Sequence, residues 1–170
     1  MSAVVVNWPF KVVQGGAADK PPSTPSLKAR AISLLAQREY SRQELTDKLA
    51  EQDVSPEELA LALAQLEAKG LVDDARVVET LVNRRAGKLG GMRLRQELQA
   101  KGVSPDLVAQ AMTDLKGSEL ARARAVWQKK FGQLASSSTE RNKQARFLAS
   151  RGFSGEVVKQ VVAGLVDDEL

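Results

Sequence analysis

Gly102-Val103-Ser104-Pro105-Asp106 is the stretch that decides the fold. Two variants of it flank it along the chain, Asp53-Val54-Ser55-Pro56-Glu57 and Gly152-Phe153-Ser154-Gly155-Glu156. The three serines lie 49 and 50 residues apart. Each copy predicts the end of one helix and the start of the next. A recurring junction predicts a recurring fold unit, and repeat proteins generally bind through an extended surface rather than a single pocket.

Each junction carries residues that start a helix. The serine oxygen can accept from a free amide, proline has no amide to satisfy, and the following acid faces the positive end of the helix dipole. Apolar pairs form hydrophobic staples: Val54 with Leu59, Val103 with Val108, and Phe153 with Val158. We expect Glu58 to complete a capping box with Ser55. Gly102 and Gly152 stand where the preceding helix would end in a left-handed residue, whereas Asp53 replaces that glycine in the first copy.

Apolar residues recur at helical spacing after each junction. The three faces are Leu59, Ala62, Leu63 and Leu66; Val108, Ala111, Met112 and Leu115; and Val158, Val161, Val162 and Leu165. Before the junctions, Leu45 and Leu94 correspond, but Gln144 takes their place in the third copy, and we expect Phe147 and Ala145 to fill that space.

A further helix is predicted ahead of each pair, at 28–39, 74–86 and 118–131. The first carries the apolar residues Ile32 and Leu35. In the third copy a serine run precedes the second helix, and Ser138 or Thr139 is the expected cap.

These patterns predict an all-α fold of three tandem three-helix repeats in an elongated, curved array. The expected divisions are an N-terminal arm or linker at 1–27, repeats at 28–72, 73–116 and 117–165, and an acidic tail at 166–170. Units this small bury a marginal core alone, so neighbours should support one another. The arm is expected to be disordered, or to dock on a partner or a second copy through Trp8 and Phe10.

Composition argues against most catalytic chemistry. The chain has no cysteine and no histidine, which removes disulfides, thiolate metal sites and the commonest general base. Gly87, Gly90 and Gly91 lack the Lys-Ser or Lys-Thr that follows a phosphate-binding loop. Asp73-Asp74 predicts a helix cap rather than a metal site. We therefore expect no enzyme, no catalytic residue, no metal and no cofactor.

The chain also lacks an apolar run of membrane-spanning length and a secretory signal. A cytoplasmic protein with no membrane partner is expected.

Charge is uneven along the chain. Residues 28–72 carry 6 basic and 8 acidic residues, a net charge of −2, whereas residues 73–116 carry 8 and 6 and residues 117–165 carry 9 and 3, net charges of +2 and +6. The candidate binding surface comprises Arg84, Arg85, Lys88, Arg93, Arg95 and Lys101, and then Arg141, Lys143, Arg146 and Arg151. Arg122, Arg124, Lys129 and Lys130 add to the second stretch.

Two pairs of these cations match between repeats, Arg93 with Lys143 and Lys101 with Arg151. The matches predict a continuous basic stripe for a polyanion or an acidic protein surface. The alternative is a solvated helix face, on which Arg93 would pair with Glu97 at i, i+4.

Three segments resemble the RecX family of recombination regulators. Leu71-Val72-Asp73-Asp74-Ala75-Arg76 is similar to that family's (Y/L)-(L/I)-D-D-x-R signature. GMRLRQELQAKGVSP at 91–105 resembles its glycine-led R-(I/L)-x-x-E-L-x-x-K-G stretch, and residues 146–153 resemble its R-F-L-x-x-R-G-(F/Y) motif. Residues 28–49 fit its first repeat, so the resemblance covers about residues 28–165.

The resemblance implies three tandem three-helix units and a partner, the RecA recombinase, mainly as its filament on single-stranded DNA. RecX proteins lodge along the filament groove and restrain its growth, ATP hydrolysis, strand exchange and coprotease activity, within DNA repair, homologous recombination and the SOS response.

Two alternatives remain open from the residues. One is a sequence-independent DNA-binding helical-repeat protein, on single- or double-stranded DNA, that acts without a recombinase. The other is an adaptor that self-associates through its N-terminal arm.

Overall fold

The computed structural model describes residues 25–50 and 54–164. Within these ranges the chain forms nine α-helices: α1 (Leu27–Leu35), α2 (Arg42–Ala50), α3 (Pro56–Ala68), α4 (Asp74–Arg85), α5 (Gly91–Ala100), α6 (Pro105–Lys116), α7 (Glu119–Lys130), α8 (Ser138–Ser150) and α9 (Gly155–Ala163). Successive triplets make units 1, 2 and 3, so the predicted all-α architecture of three three-helix units is confirmed. The predictions for Trp8, Phe10, Asp53, Leu165 and the acidic tail lie outside the described residues.

The three serines cap their helices as predicted. The capping box expected between Ser55 and Glu58 is only half formed, because in the described part of the chain Ser55 N makes no hydrogen bond with the Glu58 carboxylate. Ser55 Oγ accepts from Glu58 N at 3.2 Å, and Ser104 and Ser154 accept from the amides three residues on at 3.4 and 3.5 Å. Gly102 and Gly152 adopt φ values of +70° and +83°, the left-handed region that glycine enters without strain.

Two local predictions are wrong. The cap of α8 is Ser137, not Ser138 or Thr139: its Oγ accepts from Glu140 N at 3.2 Å. The Glu140 carboxylate in turn accepts from Ser136 N and Oγ, which sets the start of the helix one residue earlier. Helix α1 ends at Leu35 rather than residue 39, and it buries Ala31 while Ile32 is 49% exposed.

Each unit has its own apolar core. The buried members are Ala31, Tyr40, Leu45, Leu49, Leu59, Leu63, Leu66 and Val72 in unit 1; Val77, Val78, Leu81, Ala86, Leu94, Leu98, Val103, Val108 and Ala111 in unit 2; and Ala123, Leu148, Phe153, Val158, Val161 and Val162 in unit 3. Both members of each predicted staple share a core, and burial of each leucine contributes about 2 kcal/mol.

Gln144 is a buried polar residue in the third core. Its Oε1 accepts from Trp127 Nε1 at 2.8 Å, and its Nε2 donates to Gln133 O at 3.0 Å. Phe147 and Ala145 pack against the same core, as expected, but Gln144 itself stays inside. Both ends of its amide are paired, so its burial leaves no unsatisfied polar atom there.

Candidate partner-binding surface

Because the cores are separate, polar contacts between units fix their relative positions. The same positions form both interfaces. In the first, Arg42 N at the start of α2 donates to Asp74 Oδ1 at 2.8 Å. In the second, Gly91 N at the start of α5 donates to Glu119 Oε1 at 3.1 Å. Asp74 and Glu119 are the first residues of α4 and α7, so each unit begins with a carboxylate that binds the unit before it.

The turn after the middle helix of one unit docks on the start of the middle helix of the preceding unit. Ser41 Oγ donates to the carbonyl of Lys101 across the first interface. Gly90 N donates to Arg151 O at 2.9 Å, and Met92 N donates to Gly152 O at 3.1 Å, across the second. Amides at a helix N-terminus have no partner within the helix, so these carbonyls satisfy groups that would otherwise need water.

An ion cluster centred on Glu44 reinforces the first interface. Glu44 Oε1 accepts from Arg38 Nη2 at 3.1 Å and from Lys101 Nζ at 2.8 Å. The carboxylate also accepts from Ser41 N at 3.0 Å, while Ser41 Oγ accepts from Glu44 N at 3.1 Å, a complete capping box. Burial raises the pKa of Glu44, but hydrogen bonds from Arg38, Lys101 and Ser41 outweigh it and hold the pKa below its ordinary value.

The segment at 71–76 joins the first two units. Asp73 Oδ1 caps α4 by accepting from Ala75 N at 2.9 Å, which agrees with the helix-cap prediction. Arg76 Nε donates to Glu39 Oε1 of unit 1 at 2.7 Å, and this hydrogen bond raises the pKa of Arg76. Together with the Asp74 contact to unit 1, these bonds give the Asp-Asp-x-Arg motif a structural role.

The Arg122 side chain is half-buried and binds backbone carbonyl groups of unit 2, so it is not part of an exposed cationic surface. Its Nη1 donates to Ala86 O at 2.9 Å and Leu89 O at 2.7 Å, which attaches unit 3 to the loop after α4. Burial lowers the pKa of Arg122, against an opposing effect of Glu119. The sequence placed this residue among the surface cations, and the structure corrects that expectation.

The ten predicted surface residues differ in their exposure and pairing. Arg84, Arg85, Lys88, Arg93, Arg95, Arg141, Lys143 and Arg146 are exposed, whereas Lys101 and Arg151 are half-buried at the two interfaces. Lys101 is held by Glu44, and the Arg151 guanidinium carbon lies 3.7 Å from the centre of the Phe147 ring.

The predicted pair of Arg93 with Glu97 does not form. Glu97 instead accepts from Arg85, at 3.2 Å to Nε and 2.5 Å to Nη2, and this raises the pKa of the exposed Arg85. Arg93 Nη1 donates weakly to Gln96 Oε1 at 3.5 Å. Arg85 can reach across from α4 because α4 and α5 pack side by side, a contact that the spacing within one helix does not reveal.

Two grooves gather part of the predicted surface. The first groove, between units 1 and 2, is lined by Arg38, Arg84, Arg85 and Lys101 together with Glu39 and Glu97. The second groove, between units 2 and 3, is lined by Lys88, Lys129, Lys130 and Arg151. Arg95 lines a separate depression with Met92, and Arg93, Arg141, Lys143 and Arg146 line neither groove.

The first groove contains one cation that the sequence did not single out, Arg38. The second groove contains two that the sequence placed beside the second basic stretch, Lys129 and Lys130. The signal for them is the alignment of α7 with α4, which places them 45 residues after Arg84 and Arg85. That a partner contacts any of these cations stays a prediction.

The fold and this surface define a class of protein, a three-unit helical-repeat protein with grooves between its units that are lined by cations. None of the described helices is both long and apolar enough to span a membrane.

The chain belongs to the RecX family. Profiles of the first, second and third RecX three-helix domains match residues 28–66, 73–112 and 118–162. The chain is 46% identical over 144 residues to the regulatory protein RecX of Leptothrix cholodnii, covering 85% of this chain and 91% of the relative. It is 42% identical over 146 residues to the regulatory protein RecX of Ralstonia nicotianae, covering 84% and 92%.

Two solved structures share the fold. A crystal structure of RecX from Lactobacillus salivarius matches with a TM-score of 0.70 at 18% identity, over 82% of this chain and 94% of that one. A second crystal structure of a regulatory protein RecX matches with a TM-score of 0.68 at 22% identity, over 79% and 70%. The family resemblance inferred from the three motifs is therefore confirmed. The family to which the chain belongs consists of regulatory proteins rather than enzymes.

Proposed function

We propose that this chain regulates the RecA recombinase in the cytoplasm. It binds the recombinase filament on single-stranded DNA and restrains ATP hydrolysis, strand exchange and coprotease activity. The observation that carries the proposal is the match of all three RecX domains, in order, to the three units. The names of the relatives, regulatory protein RecX, support it.

The interfaces suggest how such a chain would favour a filament over a free subunit. Backbone and carboxylate contacts hold each unit against the next, so three surfaces are presented at fixed spacing. A partner that repeats along an axis can engage several of these surfaces at once. Linked contacts raise overall affinity by 10²–10⁴ when the geometry permits simultaneous binding.

The contributing surface is the exposed cations of the middle and third units. Arg93 and Arg95 on α5, with Arg141, Lys143 and Arg146 on α8, form no ion pair with a carboxylate among the described residues. Such cations keep their charge available for an acidic recombinase surface or for phosphates. Arg85 and Lys101 contribute less, because Glu97 and Glu44 already neutralise them.

The direct test is the DNA-stimulated ATPase of the recombinase, titrated with this chain. We expect inhibition that grows with concentration. Inhibition at far less than one copy per recombinase would support capping of filament ends, and a requirement near one to one would support occupancy of the groove. An ATPase rate that stays constant at a large excess of folded protein contradicts the proposal.

A charge-reversal pair tests the surface. Arg93→Glu with Arg95→Glu should weaken inhibition about 10-fold, since four units of charge change where contacts of about 0.5–1 kcal/mol each are made. The matched control reverses Lys28 and Lys48, which are exposed on unit 1 and also unpaired among described residues. Equal inhibition by the two folded variants would show that α5 does not contact the recombinase.

The rival functions are separated by binding to single-stranded DNA with and without recombinase, at two salt concentrations. Tight binding to naked DNA without any effect on the recombinase would favour an independent DNA-binding protein. Light scattering of a chain lacking residues 1–25 tests self-association through the arm.

A further inference from the structure

The two grooves occupy equivalent places in the repeat. The first groove is lined by four residues of α4, which are Thr80, Leu81, Arg84 and Arg85. The second groove is lined by the four residues of α7 that lie 45 positions later, which are Ala125, Val126, Lys129 and Lys130. Lys101 and Arg151, 50 positions apart, follow α5 and α8 at the corresponding ends. Three cations of each groove therefore form matching pairs, Arg84 with Lys129, Arg85 with Lys130, and Lys101 with Arg151.

The acids that surround the first groove are missing from the second. Glu39 and Glu44 correspond to Lys88 and Arg93, 49 positions later, the offset that also relates Leu45 to Leu94. Glu97 corresponds to Phe147, 50 positions later, the offset that relates Leu98 to Leu148. Three carboxylates in and beside the first groove are thus replaced by two cations and one aromatic ring.

The replacements change what the groove cations bind. In the first groove Lys101 contacts Glu44 at 2.8 Å and Arg85 contacts Glu97 at 2.5 Å. In the second, no carboxylate of residues 25–50 or 54–164 forms an ion pair with Lys88, Lys129 or Lys130.

Arg151 is also without a carboxylate partner among those residues, and its guanidinium stacks on the ring of Phe147. The side chain is held over the ring, with its Nη1 3.4 Å from Phe147 O. A pre-oriented guanidinium loses less freedom when it binds an anion.

We propose that the second groove binds the phosphate backbone of single-stranded nucleic acid, directly and without the recombinase. Four cations that form no ion pair with a carboxylate of residues 25–50 or 54–164 supply the phosphate contacts. The apolar wall formed by Ala125, Val126 and Phe147 suits the sugars and bases that a single strand exposes.

The composition of the second groove favours nucleic acid over an acidic protein. Three of its four cations are lysines, and lysine is depleted in protein–protein interfaces, whereas it is a common phosphate ligand. The first groove, in which Arg38 and Lys101 pair with Glu44 and Arg85 pairs with Glu97, serves as a built-in comparison. The site does not depend on the proposed recombinase contact, because the chain alone is tested.

The test is fluorescence anisotropy of a labelled oligothymidylate titrated with the full chain at several salt concentrations. Lys129→Ala with Lys130→Ala should weaken binding at least about 10-fold. It should also flatten the slope of log affinity against log salt by about 1.4, the loss of two single-strand phosphate contacts. The matched control, Arg84→Ala with Arg85→Ala, removes the same charge from the equivalent positions and should change the slope far less.

A second variant returns an acid to the groove. Lys88→Glu recreates the charge of Glu39 at the equivalent position and should weaken binding, whereas Lys28→Glu on unit 1 should not. Lys88 is exposed, so the substitution leaves the core untouched.

Three results would overturn the proposal: no binding of the oligonucleotide by the wild type at low salt, equal losses in the two double-alanine variants, or equally effective competition by polyglutamate of matched charge. Recombinase ATPase is measured with the same variants. Lost DNA binding with retained inhibition supports the groove and leaves the proposed regulation standing, whereas retained DNA binding with no inhibition by the wild type contradicts only the regulation.

Discussion

Gly90→Ala should separate unit 3 from unit 2. A Cβ atom on Gly90 would lie 2.2 Å from Phe153 N and 2.3 Å from Gly152 O, which are backbone atoms that no side-chain rotation can move. Gly90 has φ −80°, so alanine fits its own backbone conformation and the clash is the only obstacle. The turn after α8 must therefore move away from the start of α5.

The cost follows from the bonds that this movement breaks. The hydrogen bonds from Gly90 N to Arg151 O and from Met92 N to Gly152 O contribute about 1 kcal/mol each. If Glu119 also leaves Gly91 N, a charge-assisted bond worth about 2 kcal/mol is lost as well. We expect the free energy of unfolding to fall by about 2–4 kcal/mol in urea denaturation followed by circular dichroism.

Two companion variants separate the clash from other effects. Gly87→Ala lies in the same loop with no atom within 4 Å of the new Cβ, so it should behave like wild type. Gly90→Ser introduces a preferred capping residue but carries the same Cβ atom, so this variant should be destabilised almost as much as Gly90→Ala. Amide hydrogen exchange at Met92 should quicken in both Gly90 variants. Wild-type stability of Gly90→Ser, or unchanged protection at Met92, would refute the reasoning.

Three further predictions concern the contacts between units. Ser41→Ala removes a fully buried hydroxyl that donates to Lys101 O and accepts from Glu44 N, and should lower the free energy of unfolding by about 1–3 kcal/mol, measured in urea. Glu44→Gln should abolish an acid-linked loss of stability. Because the folded pKa of Glu44 is depressed, its contribution is complete above the ordinary glutamate pKa and disappears as the pH falls through the folded value. In thermal unfolding, wild type should therefore lose stability more steeply than the variant as the pH falls below the ordinary pKa of a glutamate. Arg122→Met leaves the carbonyls at 86 and 89 without their guanidinium donor and should quicken amide exchange in that loop. Equal exchange in wild type and Arg122→Met would contradict the assigned role.

The junctions were predictable because their signals are local. A serine cap, a left-handed glycine and a staple each involve residues within about five positions, and at Ser104 all three form as the sequence indicates. The cap of α8 was harder to place because Ser136, Ser137, Ser138 and Thr139 are all plausible, and the partner of Glu140 decided among them.

Residue spacing along one helix did not predict which cations of the candidate surface pair with carboxylates. Glu97 binds Arg85, 12 positions earlier on another helix, instead of Arg93, its neighbour one turn away. The sequence also did not show whether Gln144 is buried. Its burial depends on Trp127 and Gln133 O, which lie within hydrogen-bond distance of its amide in the folded structure.

The sequence alone determined that the chain is a threefold helical repeat, because each unit is built from local capping signals and a helical apolar face. It also determined the family, through motifs that can be read in order. Only the tertiary structure decided that these motifs lie at the interfaces between units and that the repeated cations differ in availability. The reason is that Glu44 reaches Lys101 across 57 positions of sequence, while Phe147 replaces the acid that would have neutralised the equivalent groove.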